Sequence, residues 1–197
     1  MTDVFSTLAL NGVALLVAIL LLWAYSVRIL DVSFIDAFWA FGMVVLAWAT
    51  WAQSDNPGAR SSLILGLTTL WGMRLTLHLW IRWRAHGEDP RYTKIMASRM
   101  EKKGWSWAKT SLIAVFLTQA PLLFITCLPA QLGIWASEGG RTVIGPLGAA
   151  GAAIALIGIA FETIGDAQLN AFRKNPDNKG KVLDTGLWRY TRHPNYF

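Results

Sequence analysis

The sequence predicts an all-α integral membrane protein, and three features support that fold class. Apolar residues make up 54% of the 197 residues and charged residues only 15%, whereas a soluble domain carries roughly 25% charged residues. Five stretches are apolar enough and long enough for a helix that crosses a bilayer core, which needs about 20 residues. The chain also has eleven tryptophans, whose rings gather at the headgroup level of membranes. We therefore expect a polytopic bundle of about five transmembrane helices, forming a single membrane-embedded domain over residues 1–197.

The five predicted spans follow one another along the chain with short polar connections. They cover residues 4–27, 34–52, 61–80, 107–128 and 143–161. Turn residues at 54–58 and at 137–141 predict loops, and the segment 81–105 is polar and basic. The last span is rich in Gly and Ala, which lets neighbouring helices approach closely in lipid.

The positive charges predict the orientation of the chain. If the N-terminus lies outside, fifteen Lys and Arg residues fall on the inner side, and only Arg60 and Arg141 fall on the outer side. This asymmetry is the one that the positive-inside rule requires. It explains the net charge of +6 without a nucleic-acid partner. We expect a multi-pass protein of a bacterial inner membrane, with its basic loops and C-terminus in the cytoplasm.

The third span carries ionisable residues on one helix face. Trp71, Arg74, His78 and Arg82 follow the spacing i, i+3, i+7 and i+11, so this face points into the bundle or a wet cavity. A purely structural polar stripe explains the pattern equally well. His78 has no partner at metal-ligand spacing, and we expect no metal site.

A turn with acid–base chemistry follows at residues 87–92. It contains Glu88, Asp89, Pro90, Arg91 and Tyr92, and the proline biases the preceding residue away from helix. A phenol supported by a carboxylate can donate a proton to a carbonyl oxygen as charge develops there. Local chemistry thus makes Tyr92 and Glu88 the candidate catalytic pair. The alternative is a solvated loop whose charges cap the neighbouring helices.

The end of the fifth span and the closing segment predict an anion site. The side chains of Glu162, Asp166, Asn170 and Arg173 form one helical stripe, although a helix that leaves the membrane also turns polar without any ligand. A turn at 175–180 brings the segment 186–197 back towards this stripe. Arginine suits bidentate phosphate contacts, and the segment supplies Arg189, Arg192 and His193. No GxGxxG motif follows a strand, so a nucleotide site here is not of the Rossmann type.

Several spaced motifs together resemble the DUF1295 branch of the steroid 5-alpha-reductase superfamily, over nearly the whole chain. The motifs that carry this resemblance are Asp31-x-Ser33-x-x-Asp36-x-x-Trp39, Arg74-Leu75-x-x-x-His78-x-x-x-Arg82, Gly87 to Tyr92, Glu162-x-x-x-Asp166-x-Gln168-Leu169-x-x-Phe172 and Gly186 to Phe197. The resemblance implies a membrane reductase that uses NADPH on a conjugated carbon–carbon double bond of a steroid-like or other lipid enone.

The resemblance also implies roles for matching residues. Glu162, Asp166, Arg173 and Asn195 would contact NADPH, and Asn170 belongs to the same stripe. The same pocket would be lined by Arg189, Arg192, His193 and Tyr196. The superfamily uses a Tyr/Glu pair as proton donor, which is the role given to Tyr92 and Glu88. The substrate itself is not implied.

Two other functions compete with the reductase. Membrane methyltransferases of the isoprenylcysteine and phospholipid type carry an Arg-His-Pro-x-Tyr-like element and bind S-adenosylmethionine, but the Glu162 stripe and the Glu88 turn fit the reductase branch better. A non-catalytic membrane fragment or scaffold is the second alternative. Family members continue past Asn-Tyr-Phe with a Gly-Glu pair and about two more hydrophobic segments, so the resemblance implies that this chain is C-terminally truncated.

Overall fold

The computed structural model describes residues 3–137 and 143–196, and within these ranges the chain is helical and contains no strand. The predicted all-α class is confirmed. The chain divides into two compact units, Met1–Val143 and Ile144–Phe197. The α-helices of the first unit are α1 (Val4–Ile29), α2 (Ile35–Ala52), α3 (Ala59–His86), α4 (Pro90–Lys103), α5 (Trp107–Ser111) and α6 (Leu117–Trp135). The second unit is built on α7 (Pro146–Lys174).

Among the described residues, four helical segments are long and apolar enough to cross a membrane, and all four coincide with predicted spans. They are α1, α2, the continuous segment Trp107–Trp135 and α7. The third predicted span also forms a helix, the 28-residue α3. Because α3 carries several cations, it is less apolar than the other four, and its membrane crossing stays a prediction.

Apolar side chains from α1, α2, the π-helical turn Leu112–Phe116 and α6 form the core of the first unit. Its most buried members include Ile19, Ile35, Leu46, Phe116 and Leu123. The π-helical turn joins α5 to α6, and α6 continues through Pro121 and Pro129.

The closest approach of α2 and α3 requires a glycine. A Cβ at Gly72 would lie 2.4 Å from Val44 Cγ2 and 3.0 Å from the Ala40 carbonyl oxygen. Small residues at such contacts let helix backbones approach in lipid, where van der Waals packing drives association. Gly72 therefore fixes the distance between these two helices.

A buried polar network also ties α1, α2 and α6 together. The Asn11 side-chain amide donates to Thr50 Oγ1 at 2.7 Å and to Gln131 Oε1 at 2.8 Å. The Gln53 amide, which directly follows α2, donates to Asn11 Oδ1 at 2.9 Å. Buried polar groups need such partners because an unpaired one costs free energy, so the network selects one register of these helices.

The segment 81–105, expected only to be polar and basic, holds the last turns of α3 and the whole of α4. Asp89 caps the N-terminus of α4 by accepting a hydrogen bond from the Arg91 amide at 2.9 Å. Pro90 occupies the first helical turn, where its missing N–H costs nothing. The loop expected at 54–58 separates α2 from α3. The loop expected at 137–141 lies outside the described residues except for Ser137.

The second unit consists of α7, the turn at 175–180 and the closing segment, which is described over residues 186–196 and forms short 3-10 turns. The helix continues 13 residues beyond the predicted end of the span at 161, through the polar stripe to Lys174. The expected turn at 175–180 contains the 3-10 turn Pro176–Asn178. Two more 3-10 turns, Gly186–Arg189 and Pro194–Tyr196, then contact α7.

Candidate functional site

Tyr92 belongs to a hydrogen-bonded cluster in the first unit. Gly87 ends α3 with a positive φ of 71°, and α4 begins three residues later, which places Tyr92 in the first turn of α4. The Tyr92 hydroxyl donates to Asp36 Oδ1 at 2.5 Å, and the Gln119 amide donates to the Tyr92 oxygen at 3.2 Å. The phenol is half-buried.

The orientation of this cluster follows from the donors and acceptors that it contains. The Trp39 indole N–H donates to Gln119 Oε1, and an indole can only donate. The Gln119 amide is therefore turned so that its Nε2 faces Tyr92, where it acts as the donor. Since the phenol oxygen already accepts from Gln119, the phenol proton is directed at Asp36.

Arg91 connects Asp36 to the start of α4. Its Nη2 lies 3.2 Å from Asp36 Oδ2 and 2.9 Å from Asp89 Oδ2. The hydrogen bond from the Arg91 side chain lowers the pKa of Asp89, and the more distant Arg82, at 4.0 Å, acts in the same direction. Burial and the hydrogen bond to Asp36 raise the pKa of Tyr92 well above its ordinary value. Tyr92 thus keeps its proton at neutral pH.

Glu88, the predicted partner of Tyr92, has other neighbours. Burial and the nearby charge of Asp31 raise the pKa of Glu88, while a hydrogen bond from Thr93 lowers it. Asp31 itself accepts the Trp83 indole N–H at 2.8 Å. The carboxylate that contacts the phenol is Asp36. The motif Asp31-x-Ser33-x-x-Asp36-x-x-Trp39 contained this residue, but nothing in the spacing connected it to Tyr92.

In the second unit, the closing segment is fastened to α7 by hydrogen bonds that include the following three. The Leu187 amide donates to Gln168 Oε1 at 3.0 Å, and the Trp188 indole donates to the Gly165 carbonyl oxygen at 3.0 Å. The third bond joins Asn195 Nδ2 to Asp166 Oδ1 at 3.1 Å. The backbone of the closing segment approaches closely at Gly165, where an added Cβ would lie 3.1 Å from the Asn195 amide nitrogen.

Between the end of α7 and the closing segment lies an open cleft of about 890 Å³. Its apolar wall includes Leu169, Phe172 and Trp188. Its ionisable lining is strongly basic and contains one acid. The ionisable residues are Arg173, Lys179, Lys181, Arg192, His193 and Asp184. Arg173, Lys179, Lys181 and Arg192 are exposed. This arrangement of cations beside aromatic side chains is suited to an anion that also carries rings.

The predicted cofactor residues are divided between the cleft and its framework. Three of the nine line the cleft, namely Arg173, Arg192 and His193. Two others, Asp166 and Asn195, bond to each other and so hold the closing segment in place. Glu162 is buried one helical turn before Asp166.

The remaining three predicted residues are exposed side chains that do not line the cleft in the described part of the chain. They are Asn170, Arg189 and Tyr196. Tyr196 packs beside His193, with ring centroids 5.4 Å apart. Sequence reasoning did not single out Lys181, although the run Lys-Gly-Lys at the end of the turn at 175–180 was the available signal. It also missed the clamping role of Gln168.

Comparison with known proteins gives a family and a partial relative. The relative is a probable O-methyltransferase, ustE, from Ustilaginoidea virens, which is 34% identical over 97 residues. The match covers 46% of this chain and spans about a third (34%) of the length of that protein. No solved structure matches the chain. The model of DUF1295, described as a protein of unknown function, matches residues 22–197. The chain therefore belongs to the DUF1295 family, which lies in the steroid 5-alpha-reductase-like superfamily.

Proposed function

We propose that this protein is an NADPH-dependent membrane reductase that acts on a conjugated carbon–carbon double bond of a steroid-like or other lipid enone. The observation that carries the proposal is the cleft of the second unit, which four exposed cations line. Membership of a steroid-reductase-like superfamily supports the same class of reaction. NADPH would supply the hydride.

The residues of the cleft fit a phosphorylated dinucleotide in charge and in size. Pyrophosphate and a ribose phosphate together offer several anionic oxygens, and Arg173 and Arg192 provide the planar donors that bind phosphate in pairs. The volume of about 890 Å³ lies in the range of small-molecule sites, roughly 300–1,000 Å³. Phe172 and Trp188 offer aromatic surface to the rings of a nucleotide.

The proposal assigns the acid to Tyr92. A phenol that stays protonated at neutral pH can polarise a carbonyl oxygen by donating to it. Its proton, directed at Asp36 in the structure, would turn to the substrate. The Gln119 amide donates to the same phenol oxygen and would stabilise the negative charge that grows there. Glu88, half-buried beside Asp31, stays in the proposal as a second carboxyl group that can hold a proton.

A second candidate function is S-adenosylmethionine-dependent methyl transfer, because the partial relative is named a probable O-methyltransferase. The charges of the cleft favour the reductase over this candidate. S-adenosylmethionine carries a sulfonium, an ammonium and one carboxylate, so its net charge is positive. The cleft has four exposed cations and a single acid, Asp184, and like charges repel.

Cofactor binding by the purified full chain in detergent separates these functions. We expect saturable NADPH binding, which Arg173→Ala and Arg192→Ala each weaken roughly 10- to 100-fold, because a charge-assisted hydrogen bond contributes about 1.5–3 kcal/mol. NADPH fluorescence and calorimetry would give the dissociation constants.

Lys174→Ala is the matched control, since Lys174 is an exposed cation next to Arg173 that does not line the cleft. Its loss should change NADPH affinity less than about threefold, the scale of a surface charge. Binding of S-adenosylmethionine without binding of NADPH would overturn the reductase. Equal losses in the Lys174 and Arg173 variants would show that the cleft is not the site.

A further inference from the structure

Helix α4 carries exposed cations that the proposed function does not use. Its inward side packs into the core of the first unit through Tyr92 and Met96, and Met96 is only 4% exposed. The exposed residues of the helix include Ile95, which is 42% exposed, and four cations. We call these four the α4 cations: Lys94, Arg99, Lys102 and Lys103.

The α4 cations have no carboxylate partner among the residues that the structure describes. Across residues 3–137 and 143–196, none of them lies within 4.0 Å of a carboxylate oxygen. Arg91, on the same helix, differs from them because Asp36 and Asp89 bind its guanidinium. Glu101 is the one acid of α4. A helix with this excess of unpaired cations attracts an anionic partner from outside the chain.

Contacts at both ends of α4 place it at the edge of the membrane. At its start, Tyr92 binds Asp36, which lies in the first turn of the apolar helix α2. After its end, the span Trp107–Trp135 begins four residues later, and the Trp23 indole of α1 donates to the Ala108 carbonyl oxygen at 3.0 Å. Spans thus hold the helix at the point where they reach the surface.

Aromatic residues around α4 mark the same depth. Trp105 and Trp107 follow the helix, and Lys109 Nζ lies 5.0 Å from the centre of the Trp105 ring. Trp80 and Trp83 precede it, with ring centroids 4.9 Å apart. Tryptophan gathers at the headgroup level of membranes, and these rings flank the helix that carries the α4 cations.

We propose that the exposed residues of α4 bind anionic phospholipid headgroups. The α4 cations meet the phosphates, and Ile95 contacts the upper part of the acyl chains, as in helices that lie in the membrane interface. Phosphatidylglycerol fits this surface because it carries a net negative charge, whereas zwitterionic phosphatidylcholine does not. The inference goes beyond the reductase and is independent of it, because the proposed function gives the α4 cations no role.

Lipid retention by the full chain tests this proposal. The protein is released from nanodiscs that contain equal amounts of phosphatidylglycerol and phosphatidylcholine, and native mass spectrometry counts the lipids that stay bound. Wild type should retain phosphatidylglycerol preferentially, and the preference should fall roughly fivefold for each α4 cation removed, the effect of one basic residue at an anionic surface. The variant for this measurement is K94Q/R99Q/K102Q/K103Q.

The matched control K94R/R99K/K102R/K103R keeps every charge and should keep the preference. If the fourfold glutamine variant does not fold, the double variant K102Q/K103Q in the last turn carries the test and should lose the preference in part. A wild-type chain without preference for phosphatidylglycerol would overturn the proposal. So would folded glutamine variants that retain the anionic lipid as well as wild type does.

Discussion

Tyr92 in the first unit and Arg173 in the second unit have contrasting surroundings. The phenol is half-buried, donates to Asp36 and accepts from Gln119, whereas the guanidinium of Arg173 is exposed along an open cleft. The hydrogen bonds of the first unit orient the Tyr92 proton without a ligand. A row of cations needs an anion from outside to neutralise it. The difference teaches that the first unit is preorganised around its own groups, while the second exposes charges that the proposed cofactor would neutralise.

The contrast rests on tight packing in the first unit, and the largest expected effect tests that packing. Gly72→Ala should lower the free energy of unfolding by about 3 kcal/mol, the upper end for overpacking. The new methyl group meets the Ala40 carbonyl oxygen as well as Val44, and a backbone atom cannot turn aside. Since α2 carries Asp36, the variant should also disturb the hydrogen bond to Tyr92. Thermal unfolding followed by tryptophan fluorescence measures the change.

Gly66→Ala on the same helix is the matched control. Gly66 is exposed, and an added Cβ meets nothing within 4 Å, so alanine should stabilise α3 by about 1 kcal/mol through its higher helix propensity. If both variants behaved alike, the close approach of α2 and α3 would not be a constraint. The first unit would then be less tightly packed than this comparison requires.

In the second unit the fastening of the closing segment can be tested at Gly186. Its φ is +61°, and an added Cβ would lie 2.4 Å from Gln168 Nε2. Gly186→Ala should cost about 2 kcal/mol, of which 1 or more comes from the left-handed backbone and about 1 from the lost Leu187–Gln168 hydrogen bond. Hydrogen–deuterium exchange of peptides that cover residues 183–190 would report the loosening.

Gly180→Ala separates the two contributions. Gly180 also has a positive φ, +81°, but an added Cβ there meets nothing within 4 Å. It should show the backbone cost alone, with exchange around Leu187 unchanged. Exchange that rises equally in both variants would mean that Gln168 does not hold the closing segment.

The elements that could be predicted from sequence are those with a strong local signal. Four apolar runs form helices that are long and apolar enough to cross a membrane. Lipid offers the backbone no hydrogen-bond partners, so an apolar run in a membrane forms a helix, which pairs its own N–H and C=O groups. The helix α4 was missed because Gly87 and Pro90 were interpreted as a turn. Asp89 followed by Pro90 is also the signature of an N-cap and a first helical residue, so its start was open to prediction.

The candidate site was less predictable because its contacts are distant in sequence. Asp36 and Tyr92 are 56 residues apart, and Gln119 and Tyr92 are 27 apart, and no periodicity connects residues on different helices. Glu88 was chosen as the partner of Tyr92 because it is near in the chain. In the second unit the helical stripe did lead to Arg173, since residues at helical spacing share a face. The fold alone revealed how Gln168 meets Leu187.

The smallest expected effect concerns the proton of Tyr92. Substitutions of its two hydrogen-bond partners, Asp36 and Gln119, should move the pKa of Tyr92 in opposite directions. Asp36→Asn removes the carboxylate that holds the phenol proton, so the pKa of Tyr92 should fall by about one pH unit. Gln119→Leu removes the donor that stabilises the phenolate, so the pKa should rise. Ultraviolet titration of tyrosinate absorbance gives both values, with Tyr92→Phe identifying this signal among the four tyrosines.

The raised pKa of Tyr92 also predicts how the stability of the protein depends on pH. Because the folded chain holds the phenol proton more tightly than the unfolded chain, the contribution of Tyr92 to stability is fully present below the ordinary tyrosine pKa of about 10. It falls as the pH rises above that value, and Asp36→Asn should make the fall shallower. If Asp36→Asn and Gln119→Leu shifted the pKa of Tyr92 in the same direction, the donor and acceptor roles assigned to Asp36, Tyr92 and Gln119 would be wrong. The contrast with the open cleft would then rest on burial alone.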